Sequence, residues 1–110
     1  MTTVRYEPDE YRMTVSGHAG SARAGEDLVC AACTALAYAL IAGSMERPEF
    51  RAALYENQKD GIIRVQCYPD EEAENYCAYL FRVIFGGYRM LAEKYPEYVS
   101  TEIIAEEETE

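Results

Sequence analysis

The chain has 110 residues, of which 49% are apolar and 27% are charged, and its formal net charge is −10. This length and composition predict one folded domain with a hydrophobic core and exclude a disordered chain. The negative charge argues against nucleic acid as a direct ligand, because phosphate recognition needs clustered lysine and arginine. A basic partner fits this charge, although an acidic surface also serves solubility alone.

The location of the protein is expected to be cytoplasmic, without membrane contact. No apolar run approaches the roughly 20 residues of a membrane span. The first six residues lack the charged and then apolar order of a signal peptide. In such a protein the four cysteines are expected to be free thiols rather than disulfides.

The N-terminal part of the chain is predicted to be a β-hairpin. Apolar and polar residues alternate at 3–6 and 11–16, and Glu-Pro-Asp-Glu between them has the composition of a turn. The second strand leads to Gly17 and to His18, the one histidine of the chain. The small residues at 19–24 form a loop that we expect to close around a substrate.

A helix is predicted from Glu26 or Asp27 to about Gly43. Asp27 either caps this helix or orders the loop before it, and Cys30 lies close to the helix start. The large side chains expected to anchor the helix in the core are Leu28, Leu36 and Leu40.

The second half of the chain is predicted to contain a hairpin, a helix and a final strand. Strands at 50–56 and 62–68 flank a turn that ends in Asp60-Gly61, a typical hairpin signal. Asp70 is the expected cap of a helix that ends before Pro96, and a strand follows at 98–104. The stripe expected to face the core of this helix comprises Ala73, Tyr76, Cys77, Leu80, Ile84, Tyr88, Leu91 and Tyr95.

The element order β-β-α-β-β-α-β predicts an α+β fold, a single layered domain in which two helices cover a mixed sheet of about five strands. The domain is expected to span 1–104, and 105–110 is expected to be an acidic C-terminal tail. A glycine pair at 86–87 lies inside the second helix, and close packing against the alanine-rich first helix would explain it.

His18 and Cys30 have the chemistry of a base and a nucleophile. A neutral imidazole can take the proton of a thiol, and a cysteine beside a histidine or a helix start ionises more readily than a free one. Backbone N–H groups at the helix start are the expected oxyanion donors.

The same stretch resembles the signature of the ribosomal-processing cysteine proteases, the Prp family. The resemblance rests on Gly17, His18, Ala19, Gly25, Asp27, Leu28, Val29, Cys30, Ala31, Ala32 and Leu36, and on the twelve positions from His18 to Cys30. Two positions depart from the signature. Cys33 stands where the family usually has an aliphatic residue, and Thr34 where it usually has serine.

This resemblance implies an endopeptidase in which Cys30 is the nucleophile and His18 the base, with no metal and no cofactor. The implied partner is a basic N-terminal peptide of a ribosomal protein, namely the extension of large-subunit protein number twenty-seven, cut after an aromatic residue. A homodimer is implied as well. The auxiliary residues carried over from the signature are Gly17, Gly25, Asp27 and Thr34.

Two other hypotheses about the function remain open. One is a non-catalytic ribosome-assembly or peptide-binding factor that uses the same groove. The other is a thiol oxidoreductase, since Cys30 and Cys33 have C-x-x-C spacing. Structural zinc is disfavoured because Cys67 and Cys77, the remaining cysteines, are expected on a strand and a helix among core residues.

Overall fold

The computed structural model describes residues 1–17 and 24–105, with side chains of the second range described from residue 28 onward. Within these residues the chain forms five β-strands and two long α-helices in the predicted order β-β-α-β-β-α-β. Short 3-10 turns precede β2, β3 and α2. The elements are β1 (Thr2–Glu7), β2 (Arg12–Ser16), α1 (Ala24–Met45), β3 (Ala53–Asn57), β4 (Ile62–Gln66), α2 (Glu74–Lys94) and β5 (Val99–Ile103).

The five described strands form one mixed sheet in the order β3-β4-β2-β1-β5. β1 and β5 are parallel, and the other neighbouring strands are antiparallel. This arrangement confirms the predicted α+β class. On one face Val4, Met13 and Val65 are buried, whereas the opposite face carries polar side chains that include Arg5 and Arg64. The helices therefore cover one face only.

The core lies between this covered sheet face and the two helices. The Tyr6 ring packs against Phe81 and Phe85 of α2, with ring centroids 6.2 and 5.1 Å apart. Phe81 and Tyr88 are 0% exposed. Full burial of a side chain such as Phe81 contributes about 1.5–3 kcal/mol relative to exposure, so α2 supplies much of the core energy.

The buried arc of α2 differs from the predicted stripe. Tyr76, which the stripe included, is 63% exposed, and Tyr95 is exposed as well. Phe81 and Phe85 take inward positions that the prediction had left out. The buried arc is rotated relative to the predicted stripe because Phe81 and Phe85, in the middle turns of α2, contact Tyr6 of the sheet. The residues of α2 that are buried are Cys77, Phe81, Ile84, Phe85 and Tyr88.

The anchors of α1 also differ from the prediction. Leu40 is buried as expected, and Leu36 is partly buried, but Leu28 is 73% exposed. Val29 and Cys33 occupy the inward positions of that turn instead. A small residue can serve there because the helix lies close to its neighbours.

Three element boundaries need correction. α1 begins at Ala24, before the expected start, and runs to Met45. Phe50 belongs to a 3-10 turn, Pro48–Phe50, rather than to a strand, because proline favours a helical turn start. Asp70 makes no side-chain cap on the turn that leads into α2, and its carboxylate instead accepts a 2.8 Å hydrogen bond from Arg51 Nε.

The predicted hairpin between β3 and β4 is confirmed. Gly61 has φ 67°, a left-handed conformation that glycine adopts without strain. The turn is fixed by two hydrogen bonds, from Asn57 Nδ2 to Asp60 Oδ2 at 2.8 Å and from Asp60 N to Asn57 Oδ1 at 3.1 Å.

One helix segment, Leu28–Met45, is long and apolar enough to cross a membrane, with a mean hydropathy of 1.9. The expectation that no apolar run approaches that length was wrong for these 18 residues. A core helix of a globular protein passes the same test of length and composition. In this fold, Val29, Cys33 and Leu40 of the segment belong to the hydrophobic core.

Candidate active site

Cys30 lies on the second turn of α1 and differs from the other cysteines in its exposure. It is partly exposed, whereas Cys33, Cys67 and Cys77 are 3%, 1% and 0% exposed. All four are free thiols, as the sequence predicted. A thiol must be reachable to act as a nucleophile. In the described part of the chain, Cys30 is therefore the cysteine suited to that role.

A cavity of about 270 Å³ opens beside Cys30. Its first wall is a face of α1, and its second wall is the end of the sheet near the β3–β4 hairpin. Gly17, Cys30 and Thr34, three of the predicted site residues, all line it. The other described lining residues are Thr2, Val15, Cys33, Ala37, Tyr38, Glu56, Asn57, Gln58, Gly61, Ile62 and Ile63.

Gly17 is fixed at the cavity rim by the surrounding backbone. Its N–H donates a 3.0 Å hydrogen bond to the carbonyl oxygen of Gly61 in the hairpin. A Cβ at this position would lie 2.7 Å from the Met1 carbonyl oxygen and 2.8 Å from the Thr2 Cα. The site therefore needs glycine here because the chain passes against the start of β1.

The remaining predicted site residues fall in or beside the part of the chain without described side chains. His18 lies outside the described residues, although its neighbour Gly17 lines the cavity. The predicted loop at 19–24 lies outside them too, apart from Ala24. Gly25 and Asp27 belong to the first turn of α1, where the backbone alone is described.

Because α1 starts earlier than predicted, Cys30 does not lie at the helix N-terminus. Because the helix begins at Ala24, Cys30 lies six residues further on, beyond the first turn. The field of a helix terminus falls off within that turn, and an N–H inside the helix is bonded to the carbonyl four residues earlier. The N–H groups next to Cys30 are therefore not free oxyanion donors, contrary to the expectation. The free N–H groups lie at the first turn itself.

Cys33 also lines the cavity, but its thiol has a different environment. Burial raises the pKa of Cys33 to about 11, and the neighbouring Cys30 charge adds to this, while a hydrogen bond with Thr2 opposes it. Cys33 is a thiol rather than a thiolate at neutral pH as a result. The two cysteines of the C-x-x-C spacing also differ in exposure, since Cys30 is partly exposed and Cys33 is buried.

Cys67 and Cys77 lie in the core, as predicted, and they also contact each other. The hydrogen bond that joins Cys77 to Cys67, together with burial, raises the pKa of Cys77 well above its usual range. Within residues 1–17 and 28–105, no three His, Cys, Asp or Glu side chains are grouped as metal ligands would be.

The sequence reasoning missed the hairpin side of the cavity. Glu56, Asn57 and Gln58 line it together with Tyr38 of α1. The prediction of a hairpin was correct, but it did not include the position of the hairpin turn next to α1. The pairing of β4 with β2, which places Gly61 against Gly17, decides that position.

Solved structures with this fold are similar to the chain over nearly its whole length. The protein SMU.848 from Streptococcus mutans is 26% identical with a TM-score of 0.77, over 96% of this chain and 93% of that chain. The essential ribosomal processing protease Prp from S. aureus, solved with a substrate peptide, has a TM-score of 0.80 at 15% identity, over 94% of this chain and 100% of that chain. The same S. aureus protease with a covalently linked product peptide has a TM-score of 0.77 at 17% identity, with the same coverage.

The sequence matches a family profile but no individual curated protein. None of the curated proteins matched the chain significantly. The profile of the family described as cysteine protease Prp matches residues 1–100. The chain therefore belongs to the cysteine protease Prp family and is a cysteine protease.

Proposed function

We propose that this protein removes the N-terminal extension of a large-subunit ribosomal protein, number twenty-seven, with Cys30 as nucleophile and His18 as base. The observation that carries the proposal is that Cys30, partly exposed, opens into a cavity whose rim includes Gly17, the residue before His18. Family membership supports peptide hydrolysis, and the S. aureus relative, a ribosomal processing protease, supports the substrate class.

The reaction proceeds through a thioester. His18 takes the proton of the Cys30 thiol, and the thiolate attacks the carbonyl carbon of the scissile peptide bond. The tetrahedral intermediate collapses, and His18 returns the proton to the leaving amine. Water then attacks the thioester, and the acid product and the free Cys30 thiol are released.

The cavity fits a cut after an aromatic residue. Val15, Ala37 and Ile63 give it an apolar wall, and Tyr38 adds an aromatic ring with a polar tip. A pocket of this kind binds a flat apolar side chain well, because aromatic pairs add to the gain from burial. Of the auxiliary residues, Gly17 shapes the rim and Thr34 lines the wall, and we assign the ordering of the His18 segment to Gly25 and Asp27.

The test is mass spectrometry of a peptide that spans the extension and the mature N-terminus of the substrate protein. It is incubated with the wild-type protein, Cys30→Ala and His18→Ala in parallel. We expect one cut by the wild type and none by either variant. Cleavage that persists in Cys30→Ala would exclude the proposed nucleophile. A peptide that binds the wild type and is never cut would favour the binding-factor reading instead.

We also propose that the protein acts in the cytoplasm as a homodimer. The substrate class supports the location, and large exposed apolar side chains along both helices support the association. Six of them are Leu28, Tyr38, Met45, Tyr76, Tyr79 and Val83. Light scattering coupled to size exclusion tests the dimer, and a monomer mass would contradict it.

The proposal includes the limits of the protease domain. The protease domain spans 1–104, and 105–110 is an acidic tail that takes no part in cleavage. Removal of 106–110, which lie outside the described residues, is expected to leave cleavage of the peptide unchanged.

A further inference from the structure

We propose that Glu56 is a specificity-determining residue that binds a lysine or arginine side chain of the peptide substrate. This inference rests on the proposed function, since it assigns a subsite beside Cys30. Glu56 is the only charged residue among the described residues that line the cavity, and the rest are apolar or neutral polar. A carboxylate beside apolar and neutral polar side chains favours a cationic side chain over a neutral or acidic one.

The register of the sheet places Glu56 on the same side as Cys30. Glu56 pairs with Ile63 of β4, and Ile63 pairs with Val15 of β2. Val15 in turn pairs with Val4, which is fully buried beneath the helices. Directly paired residues of neighbouring strands point to the same sheet face. The carboxylate therefore ends an apolar row that runs out of the core into the cavity.

The Glu56 carboxylate is available for a ligand. It is exposed, and the ion pairs among the described residues engage Glu7, Glu49, Asp70 and Glu102 instead. None of these ion pairs involves Glu56. Its desolvation by a bound peptide would be offset by the pairing with the substrate cation.

The backbone that carries Glu56 is held in place. The next residue, Asn57, is bonded through its side chain to Asp60, and the hairpin is tied to the cavity rim by the bond from Gly17 N to Gly61 O. A fixed backbone limits the positions that the Glu56 carboxylate can reach, so less freedom is lost on binding.

Glu56 also has a purely structural explanation that the test must separate from this one. β3 is an edge strand, and an inward-pointing charge on an edge strand discourages pairing between molecules. A residue with only that role would not change the choice among peptides. A change of preference with the charge at position 56 is therefore the decisive readout.

The experiment measures kcat/KM for peptides of one sequence in which a single flanking position carries lysine, glutamine or glutamate, with that position moved along the peptide. The proteins are the wild type, Glu56→Gln, Glu56→Lys and Glu93→Gln. The last variant removes the same charge from an exposed site on α2, away from the cavity. All four are compared at one ionic strength.

At one position we expect the wild type to favour the lysine peptide over the glutamine peptide by about tenfold, mainly through KM. Glu56→Gln should lose this preference, because its kcat/KM for the lysine peptide falls to that for the glutamine peptide. Glu56→Lys should favour the glutamate peptide, and Glu93→Gln should behave as the wild type.

Cleavage without a lysine preference at any position would overturn the inference and leave the proposed function intact. A preference that persists in Glu56→Gln would overturn it as well. If the wild type cuts none of the peptides, the proposed function fails. Fluorescence anisotropy of the lysine and glutamine peptides with Cys30→Ala then decides the subsite, and equal affinities would overturn it.

Discussion

The Tyr88 hydroxyl donates a 2.7 Å hydrogen bond to the backbone carbonyl oxygen of Cys33. Tyr88 is 0% exposed and lies in the middle of α2, and Cys33 lines the cavity one turn after Cys30 on α1. The bond therefore joins the core helix to the wall of the cavity beside Cys30. It fixes how α1 presents Cys30, because both cysteines belong to the same rigid helix.

Tyr88→Phe should lower the free energy of unfolding by about 1 kcal/mol, because it removes this buried hydrogen bond and keeps the ring. Urea unfolding followed by circular dichroism measures the change. Tyr79→Phe is the matched control, since Tyr79 is 63% exposed and should show little change. Equal effects of the two substitutions would contradict the role assigned to the bond.

The stability of the protein should fall in alkaline solution. Burial raises the pKa of Tyr88 above its usual value of 10.0, and burial raises that of Cys33 from 9.0 to about 11. A group with a raised folded-state pKa contributes its full stability below its unfolded pKa and loses it as the pH rises toward the folded pKa.

The midpoint of urea unfolding measures this loss of stability. It should decrease as the pH passes from 9.0 toward about 11, the window set by Cys33. Cys33→Val should reduce the decrease in the lower part of that window. A midpoint that stays constant across it would contradict the buried, neutral state of these groups.

The glycine pair of α2 should respond unequally to alanine. A Cβ at Gly86 would meet nothing within 4 Å, whereas one at Gly87 would lie 3.1 Å from Leu36 Cδ2 on α1. Close packing between the helices thus explains Gly87 and does not explain Gly86. Gly86→Ala should raise the free energy of unfolding by about 0.8–1 kcal/mol, the difference in helix propensity.

Gly87→Ala gains the same propensity but forces Leu36 to move, so its gain should be smaller or reversed. Urea unfolding of the two variants side by side measures the difference. An equal stabilisation by both substitutions would show that Leu36 moves away from the new Cβ at no cost in stability.

The sequence was sufficient for the element order because each element has local signals. The Asp-Gly turn, the strand alternation and the long apolar periods gave the right sequence of strands and helices, and the covered and open faces of the sheet followed. Helix orientation was harder. Tyr76 and Phe81 are both large and aromatic, and only contact with Tyr6 of the sheet decides that Phe81 is the inward one.

The candidate site was predictable in part, for a similar reason. Cys30 and Gly17 stand close to each other in the chain within one motif, so their meeting at the cavity follows from a local pattern. Glu56 is far from them in sequence. It reaches the cavity because β4 pairs with β2 and carries β3 beside it, a long-range register that a single sequence does not encode in any short pattern.

Gly17→Ala should lower cleavage at least tenfold, since a Cβ there would lie within 2.8 Å of the backbone of Met1 and Thr2. The clash must displace either β1 or the chain that leads to His18. We expect a lower kcat, because a displacement of about 1 Å near reacting groups can cost two orders of magnitude. Cleavage assays combined with thermal unfolding separate the two displacements. Loss of activity with an unchanged midpoint indicates a shifted His18 segment, and full activity would contradict the constraint.

Iodoacetamide at pH 7.5, about one unit below the usual thiol pKa, should modify one cysteine per folded chain, and that cysteine should be Cys30. It is partly exposed, whereas Cys67 and Cys77 are 1% and 0% exposed. Cys33 is 3% exposed, and burial raises its pKa to about 11, so little thiolate is present there. Intact-mass and peptide mass spectrometry identify the site. Cys30→Ala should show no fast modification, and His18→Ala should slow it if His18 is the base.

Cys33→Ser completes this test because it distinguishes proteolysis from dithiol chemistry. A peptidase that uses Cys30 alone should keep its peptide cleavage and its single fast alkylation in this variant. An oxidoreductase needs both sulfurs, so its activity would be lost while the fold remains intact. In the wild type, iodoacetamide should modify Cys33 more slowly than Cys30, because Cys33 is buried. Equal rates would contradict this prediction.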